Sequence, residues 1–283
     1  MKKISISIIV LLLVLSSGLL FGYLQMRNAA QAAMLQNEEL EAEKEDLLRR
    51  LNEAEQQVDD LQRQLQEARF SSDKIAYLTF DDGPSAVTAR ILDILGQYDV
   101  KATFFVIGTK TEFGKQMYSR IVDEGHAIGL HGYVHDYAAL YESEESFMNN
   151  MYRLQDLIRE VTGHETSLVR FPGGSSNSIA ARHGGEGLIK QIIQRLHSEG
   201  FEYFDWNVSS LDATKPVQSA DVIARAVIDG VRGRKQAVIL MHDAPIKTTT
   251  ADALPAIIEG LRAQGFEFRA LSTHTTPVHH TLR

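Results

Sequence analysis

The chain has 283 residues, 44% of them hydrophobic, and a formal net charge of -8. That length holds one large domain or two small ones, plus appendages. The lack of cysteine excludes structural disulfides, thiolate zinc sites and a lipidated N-terminal cysteine; no nucleic-acid partner is expected.

The first predicted element is a membrane segment within residues 1–29. Lys2 and Lys3 precede Ile4 to Leu24, "ISISIIVLLLVLSSGLLFGYL", 21 residues without a charge. A helix needs about 20 such residues to cross the hydrocarbon core. The lysines lie before the span and the next basic residue is Arg27. The N-terminus is therefore expected in the cytoplasm and the rest outside, in a single-pass membrane protein. The alternative is a secreted chain whose signal peptide is cleaved at the small residues of "NAAQAAM". A secretory apolar region usually runs about 7–15 residues, shorter than this one.

Residues 30–70 read as a coiled-coil stalk. Heptad a positions fall on Ala30, Asn37, Lys44, Leu51, Val58 and Leu65, and d positions on Ala33, Leu40, Leu47, Ala54, Leu61 and Ala68. Such a repeat winds a left-handed coiled coil, and polar a positions favour a defined register and a low oligomer number. A parallel homodimer is expected, with a lone solvated spacer helix as the alternative. Eleven acidic and five basic residues between Ala30 and Phe70 put most of the negative charge in this stalk.

From residue 71 to 283 apolar runs alternate with helix-like stretches. The runs are "IAYLTF", "ATFFVIG", "HAIGLH", "SLVRF", "FEYFDWNV", "QAVILMH" and "FEFRAL"; the helical stretches include "SAVTARILDILGQY", "EESFMNNMYRLQDLIREVT" and "SADVIARAVIDGVRG". Seven strands alternating with helices predict a parallel α/β domain. A barrel and an open doubly wound sheet both place chemistry at the carboxyl ends of strands, so the alternation does not separate them. No dinucleotide or Walker glycine signature is present. "SSNSIAARHGGEG" reads as a long loop after the fourth strand.

Polar residues able to do chemistry follow these strands. Asp81 and Asp82 follow the first, His131 and His135 the third, Trp206 and Asp212 the fifth. Arg170 lies on the fourth and His242 ends the sixth. His131 and His135 have H-x3-H spacing, which on a helical turn puts both imidazoles on one face. With one carboxylate they form a His2Asp set that leaves a coordination position open, as catalytic zinc does. Adjacent strand residues point to opposite faces, so Asp81 and Asp82 share a site only if a turn at Gly83 and Pro84 redirects one of them. The plainer alternative is an Asp-Asp-Gly turn with an aspartate as helix cap. His126, His164, His183, His197, His274, His279 and His280 read as surface or packing residues.

Together, "TFDDGP", "HGYVH", "RFPGG", "DWNVSSLDA" and "LMHD" resemble, in order, the five motifs of the polysaccharide deacetylases of carbohydrate esterase family four, with the NodB-homology domain. The resemblance runs from about Lys74 to Leu271 and implies an irregular (β/α)7 barrel behind the membrane helix and stalk, with the catalytic domain extracellular. It implies one divalent metal, zinc first with cobalt or nickel as alternatives, held by Asp82, His131 and His135. Asp81 is then the base that deprotonates the attacking water, and Arg170 orients it. His242 is the acid that protonates the leaving amine, supported by Asp212. Gly173 offers a backbone donor to the oxyanion, Leu240 lines the acetyl methyl, and Trp206 lies beside the site. The sequence departs from the family pattern at Gly132, where a hydroxyl residue is usual, at Gly173, where tyrosine is common, and at Ala213, where tryptophan commonly follows the aspartate. The expected substrate is an acetylated cell-wall glycan, peptidoglycan first. Chitooligosaccharide, poly-N-acetylglucosamine or acetyl-xylan is the second reading, and a glycan-binding or coiled-coil scaffold without activity is the third.

Overall fold

The computed structural model describes residues 25–28, 31, 34, 36, 40–41, 43–58 and 74–282. The membrane segment expected at 4–24 and the stalk beyond residue 58 lie outside them. Among the described residues no helix is long and apolar enough to cross a membrane. The chain divides into two compact units, Met1–Ser71 and Ser72–Arg283.

In the first unit, helix α1 is described over residues 43–58. Leu47, Leu51 and Val58, all on the heptad seam, are 57%, 54% and 51% exposed on the single chain. Surface pairs such as Lys44 with Glu41 and Arg50 with Asp46 decorate it and contribute at most about 1 kcal/mol each.

The second unit runs β1 (Ile75–Asp81), α2 (Ala86–Gln97), β2 (Thr103–Val106), α3 (Glu112–Asp123), β3 (Ala127–Leu130), α4 (Tyr137–Leu140), α5 (Glu144–Thr162), β4 (Leu168–Val169), α6 (Ile179–Gly184), α7 (Leu188–Ser198), β5 (Glu202–Tyr203), β6 (Val208–Ser209), α8 (Ala220–Gly230), β7 (Gln236–His242), α9 (Thr248–Ala263) and β8 (Glu267–Phe268). The strands are parallel, in the order β5-β4-β3-β2-β1-β7-β6, with β8 pairing the start of β1. This is a half-barrel of parallel strands wrapped by helices, in keeping with an irregular (β/α)7 fold.

The period of two along β1 separates its two faces. Ala76, Leu78 and Phe80 belong to the large core under the helices. Tyr77 joins Phe105, Leu168, Phe204, Val238 and Leu271 in a smaller cluster on the other face. Thr79 and Asp81 continue that inner face toward the carboxyl end, where apolar filling gives way to polar groups. The β1–β7 register pairs Thr79 with Leu240 and Asp81 with His242. Register partners on neighbouring strands stand about 4.8 Å apart and point the same way, so 160 residues of intervening sequence collapse into one contact.

Two expectations change. The predicted fifth strand is two short strands at opposite edges of the sheet, β5 beside β4 and β6 beside β7. Between them Phe204 N donates to Val169 O on one edge and Asn207 N to Val238 O on the other. One continuous strand cannot pair with both edges, so the segment breaks where it crosses. The predicted loop after β4 contains α6, started by Asn177, whose Oδ1 accepts from Ile179 N and Ala180 N. The C-terminal tail packs against the crossing segment: Asp205 N donates to Val278 O, and His280 donates from its backbone to Asp205 Oδ2 and from Nε2 to Trp206 O.

Candidate active site

β1 ends at Asp81, on the inner face and 3% exposed. A continued strand would send Asp82 to the opposite face. Instead Asp82 has φ 76, in the left-handed region that aspartate tolerates better than most residues. This turn brings the second carboxylate to the same mouth as the first. Gly83 follows because Asp243 crowds it: a Cβ there would stand 2.1 Å from Asp243 Oδ2. Asp243 in turn donates its amide to Asp81 O and accepts from Thr88 Oγ1. The strand ends carrying Asp81 and His242 are thereby tied together.

Asp82 Oδ1 lies 3.5 Å from Nε2 of His131 and 3.5 Å from Nε2 of His135. It is buried and has no hydrogen-bond partner among the described residues. Ligand atoms on a zinc tetrahedron with bonds of about 2.0–2.1 Å are roughly 3.3 Å apart. The three residues therefore fit a divalent cation, and no other such His/Asp/Glu group occurs among the described residues. His131 Nδ1 lies 2.8 Å from Arg170 O. A carbonyl only accepts, so the proton is on Nδ1 and the lone pair of Nε2 faces Asp82. Burial lowers the His131 pKa, ahead of the opposing pull of Asp81 and Asp82, which keeps the ring neutral as a ligand must be.

The two histidines do not meet on a helical turn, as their spacing suggested. Residues 131–136 form a bend before α4, and Gly132 has φ +114. A side chain there would be strained by the backbone and would approach Asn150 Oδ1 at 3.2 Å. The glycine at 132 therefore reflects a local backbone requirement.

Arg170 follows β4 directly and is fully buried. Nη1 donates to Asp81 Oδ1 at 2.9 Å and to Thr79 Oγ1 at 2.6 Å, Nε to Phe204 O at 2.9 Å, and Nη2 to Asp205 O at 3.1 Å. Its guanidinium lies 4.2 Å from the Phe105 ring centre and 5.9 Å from that of Trp206. A guanidinium held at this many points has one orientation. It occupies Asp81 Oδ1, while Oδ2 is 3.9 Å from His131 Nε2 and faces the ligand cluster. Thr79 was missed in the sequence; its signal was the two-residue spacing from Asp81 along a strand.

His242 closes the other side. Nδ1 lies 2.8 Å from Asp212 Oδ1, and its backbone N donates to Asp212 Oδ2 at 2.7 Å. The carboxylate accepts, so Nδ1 carries a proton and Nε2 is left without a hydrogen-bond partner among the described residues. Thr250 Oγ1 also donates to Asp212 Oδ2, and Lys247 Nζ to Asp212 O. Neither residue lies in a motif, and nothing in the local pattern singled them out. Burial alone lowers the His242 pKa, but the hydrogen bond and charge of Asp212, helped by Asp81 and Asp82, outweigh it and raise it to about 9. Burial works to raise Asp212, and its bonds and charge contact with His242 hold it below the usual range. The imidazole is a proton donor below that value. We expect kcat to fall above about pH 9, and Asp212→Asn to move that fall to lower pH, read from a kcat–pH profile. The sign for stability is the same. The pair's contribution is full between the ordinary aspartate value of 3.8 and the ordinary histidine value of 6.5; it is lost as pH rises through about 9, and lost again in acid as Asp212 protonates.

Leu240 is two residues before His242 on the same face of β7 and 8% exposed. The loop after β4 carries Gly173, whose amide donates to no group among the described residues. The carbonyl of the same peptide unit, Pro172 O, accepts from Tyr141 Oη at 2.8 Å and Asn177 Nδ2 at 3.4 Å. C=O and N–H of a trans peptide point oppositely, so anchoring the carbonyl aims the Gly173 N–H away from Tyr141. Trp206 packs against this loop; a Cβ on Gly174 would be 2.9 Å from its Cη2.

A family model described as polysaccharide deacetylase matches residues 69–185. A peptidoglycan-N-acetylglucosamine deacetylase of Bacillus cereus is 38% identical over 200 residues, covering 70% of this chain and 69% of the relative. The catalytic domain of a peptidoglycan N-acetylglucosamine deacetylase from Eubacterium rectale superposes with TM-score 0.71 at 37% identity, covering 74% of this chain and 94% of that one. The polysaccharide deacetylase Bc1974 from Bacillus cereus gives 0.64 at 36% identity, covering 73% and 96%.

Proposed function

The chain belongs to the polysaccharide deacetylase family, whose members hydrolyse N-acetyl amide bonds, and we propose that it deacetylates N-acetylglucosamine residues of peptidoglycan. The observation that carries the chemistry is the meeting of three groups at one mouth: a His2Asp cluster, a carboxylate held by Arg170, and an imidazole held by Asp212. The observation that favours the substrate is the likeness to two relatives described as acting on peptidoglycan N-acetylglucosamine.

Asp82, His131 and His135 would hold one divalent cation, zinc in this reading, with cobalt or nickel as alternatives. Such a cation supplies polarisation of the acetyl carbonyl and an acidified water. Asp81 takes the proton of the attacking water on Oδ2, since Oδ1 is bound to Arg170. The Gly173 amide donates to the carbonyl oxygen as negative charge develops there. His242 Nε2–H delivers a proton to the glucosamine nitrogen as the C–N bond breaks, and acetate and a free amine leave. Leu240 receives the acetyl methyl.

The test is acetate release, and the position of the new amino groups, when the full chain with zinc or cobalt acts on purified peptidoglycan. Release from chitooligosaccharide, poly-N-acetylglucosamine or acetyl-xylan alone would overturn the substrate. In the same reading residues 1–29 anchor the chain in the cell membrane with the catalytic domain outside, and the stalk forms a parallel dimer. The exposed Leu47, Leu51 and Val58 support pairing, because a partner helix would cover them. Sedimentation of the full chain in detergent should give twice the chain mass, and Leu47→Lys with Leu51→Lys should halve it; a monomeric wild type excludes the dimer.

A further inference from the structure

Tyr137 opens α4, directly beyond the bend that carries both histidine ligands. Its ring stands edge-on to His135, with centres 5.1 Å apart. Behind it runs a ladder of rings: Tyr137 stacks on Tyr141 at 6.2 Å, Tyr141 on Phe147 at 5.9 Å, and Phe147 on Phe171 at 5.0 Å. The last three are fully buried, so the ladder fixes the Tyr137 ring from the core side. Asp136 caps the turn by accepting from Ala139 N.

The phenol end lies beside the oxyanion loop. A Cβ built on Gly173 would be 3.5 Å from Tyr137 Oη and 3.5 Å from Cε1. Other tyrosine hydroxyls in this domain have protein partners: Tyr141 donates to Pro172 O, Tyr118 to Ile107 O and Tyr98 to Glu259. No protein group among the described residues bonds the Tyr137 hydroxyl, although the residue is half-buried. A fixed ring with a free O–H, next to a loop whose Gly173 N–H is also free, puts two unpartnered donors side by side.

We propose that Tyr137 is a catalytic residue, a second donor to the substrate carbonyl oxygen, acting with the Gly173 amide. The two donors come from separate elements, one from α4 and one from the loop after β4. Glycine suits position 173, because its backbone at φ +78 disfavours any side chain and a Cβ there would already touch Asn177 and the Tyr137 ring. The inference rests on the deacetylase reading above and adds to it a group that touches the reacting atoms.

The test is Tyr137→Phe in the full zinc-loaded chain. The ring ladder and His135 contact are retained, so metal content and thermal unfolding should match wild type. Loss of one oxyanion donor typically costs about 10²–10³-fold in kcat. We expect kcat to fall at least about tenfold with KM within about twofold, the mark of an interaction made only in the transition state. The inhibition constant of a phosphonamidate analogue of the tetrahedral intermediate should rise in step. A kcat loss below about tenfold, or a loss carried by KM, overturns the donor role. A wild-type chain that releases no acetate from any acetylated glycan fails the deacetylase reading itself; an active wild type matched by Tyr137→Phe fails this inference alone.

Discussion

Asp82→Asn should leave the chain folded and unable to hold its cation. Asparagine tolerates the left-handed backbone that Asp82 adopts at φ 76, so the substitution removes charge without adding backbone strain. Asp82 Oδ1 is the one oxygen shared by both Nε2 atoms at 3.5 Å. Removing its charge leaves two imidazoles and a neutral amide. Loss of an outer-shell partner alone typically costs about 10–100-fold in metal affinity. Loss of the anionic ligand should cost more than about 10²-fold, and deacetylation should fall with it. Calorimetric titration with zinc, and metal content after dialysis, measure this directly. Zinc affinity equal to wild type would remove Asp82 from the ligand set.

Asp81→Asn should do the opposite: keep the metal and lose the rate. The amide oxygen can still accept from Arg170 Nη1, so the buried guanidinium keeps a partner, and Asp82 with the two histidines is untouched. What disappears is the ability to take a proton. General-base removal costs about 10²–10⁴-fold, and we expect a kcat loss in that range with about one zinc per chain retained. Measured together, the two variants separate the jobs of neighbouring aspartates. A variant pair in which Asp81→Asn loses the metal and Asp82→Asn keeps it would reverse the roles.

That separation is also where sequence and structure divide the information. "TFDDGP" placed two carboxylates at a strand end, where period two along the strand would face them apart unless a turn at Gly83 and Pro84 redirected one. The left-handed turn at Asp82 is what reunites them, and the crowding of Gly83 by Asp243 is a contact across 160 residues of chain. No local pattern encodes it. The spacing of His131 and His135 pointed correctly to a pair able to meet one carboxylate, but by the wrong route: a bend through Gly132 rather than a helical turn.

The strands themselves were legible because each buries a short apolar run, and burial leaves its mark residue by residue. Their order was not. "FEYFDWNV" reads as one strand, since both its halves are apolar, and only the sheet's two free edges explain why it splits. Lys247, Thr250, Tyr141 and Asn177 hold Asp212 and the loop after β4, yet each is an ordinary residue in its own segment. The sequence by itself determined the alternation of strands and helices, the chemical groups at the strand ends and the heptad pattern of residues 30–70, because these follow from periodicity and residue type. Tertiary structure alone decided the pairing of Asp81 with His242, the different partners of the two aspartates and the meeting of Tyr137 with Gly173. These are contacts between segments far apart in the chain, set by register and packing, which local sequence does not carry.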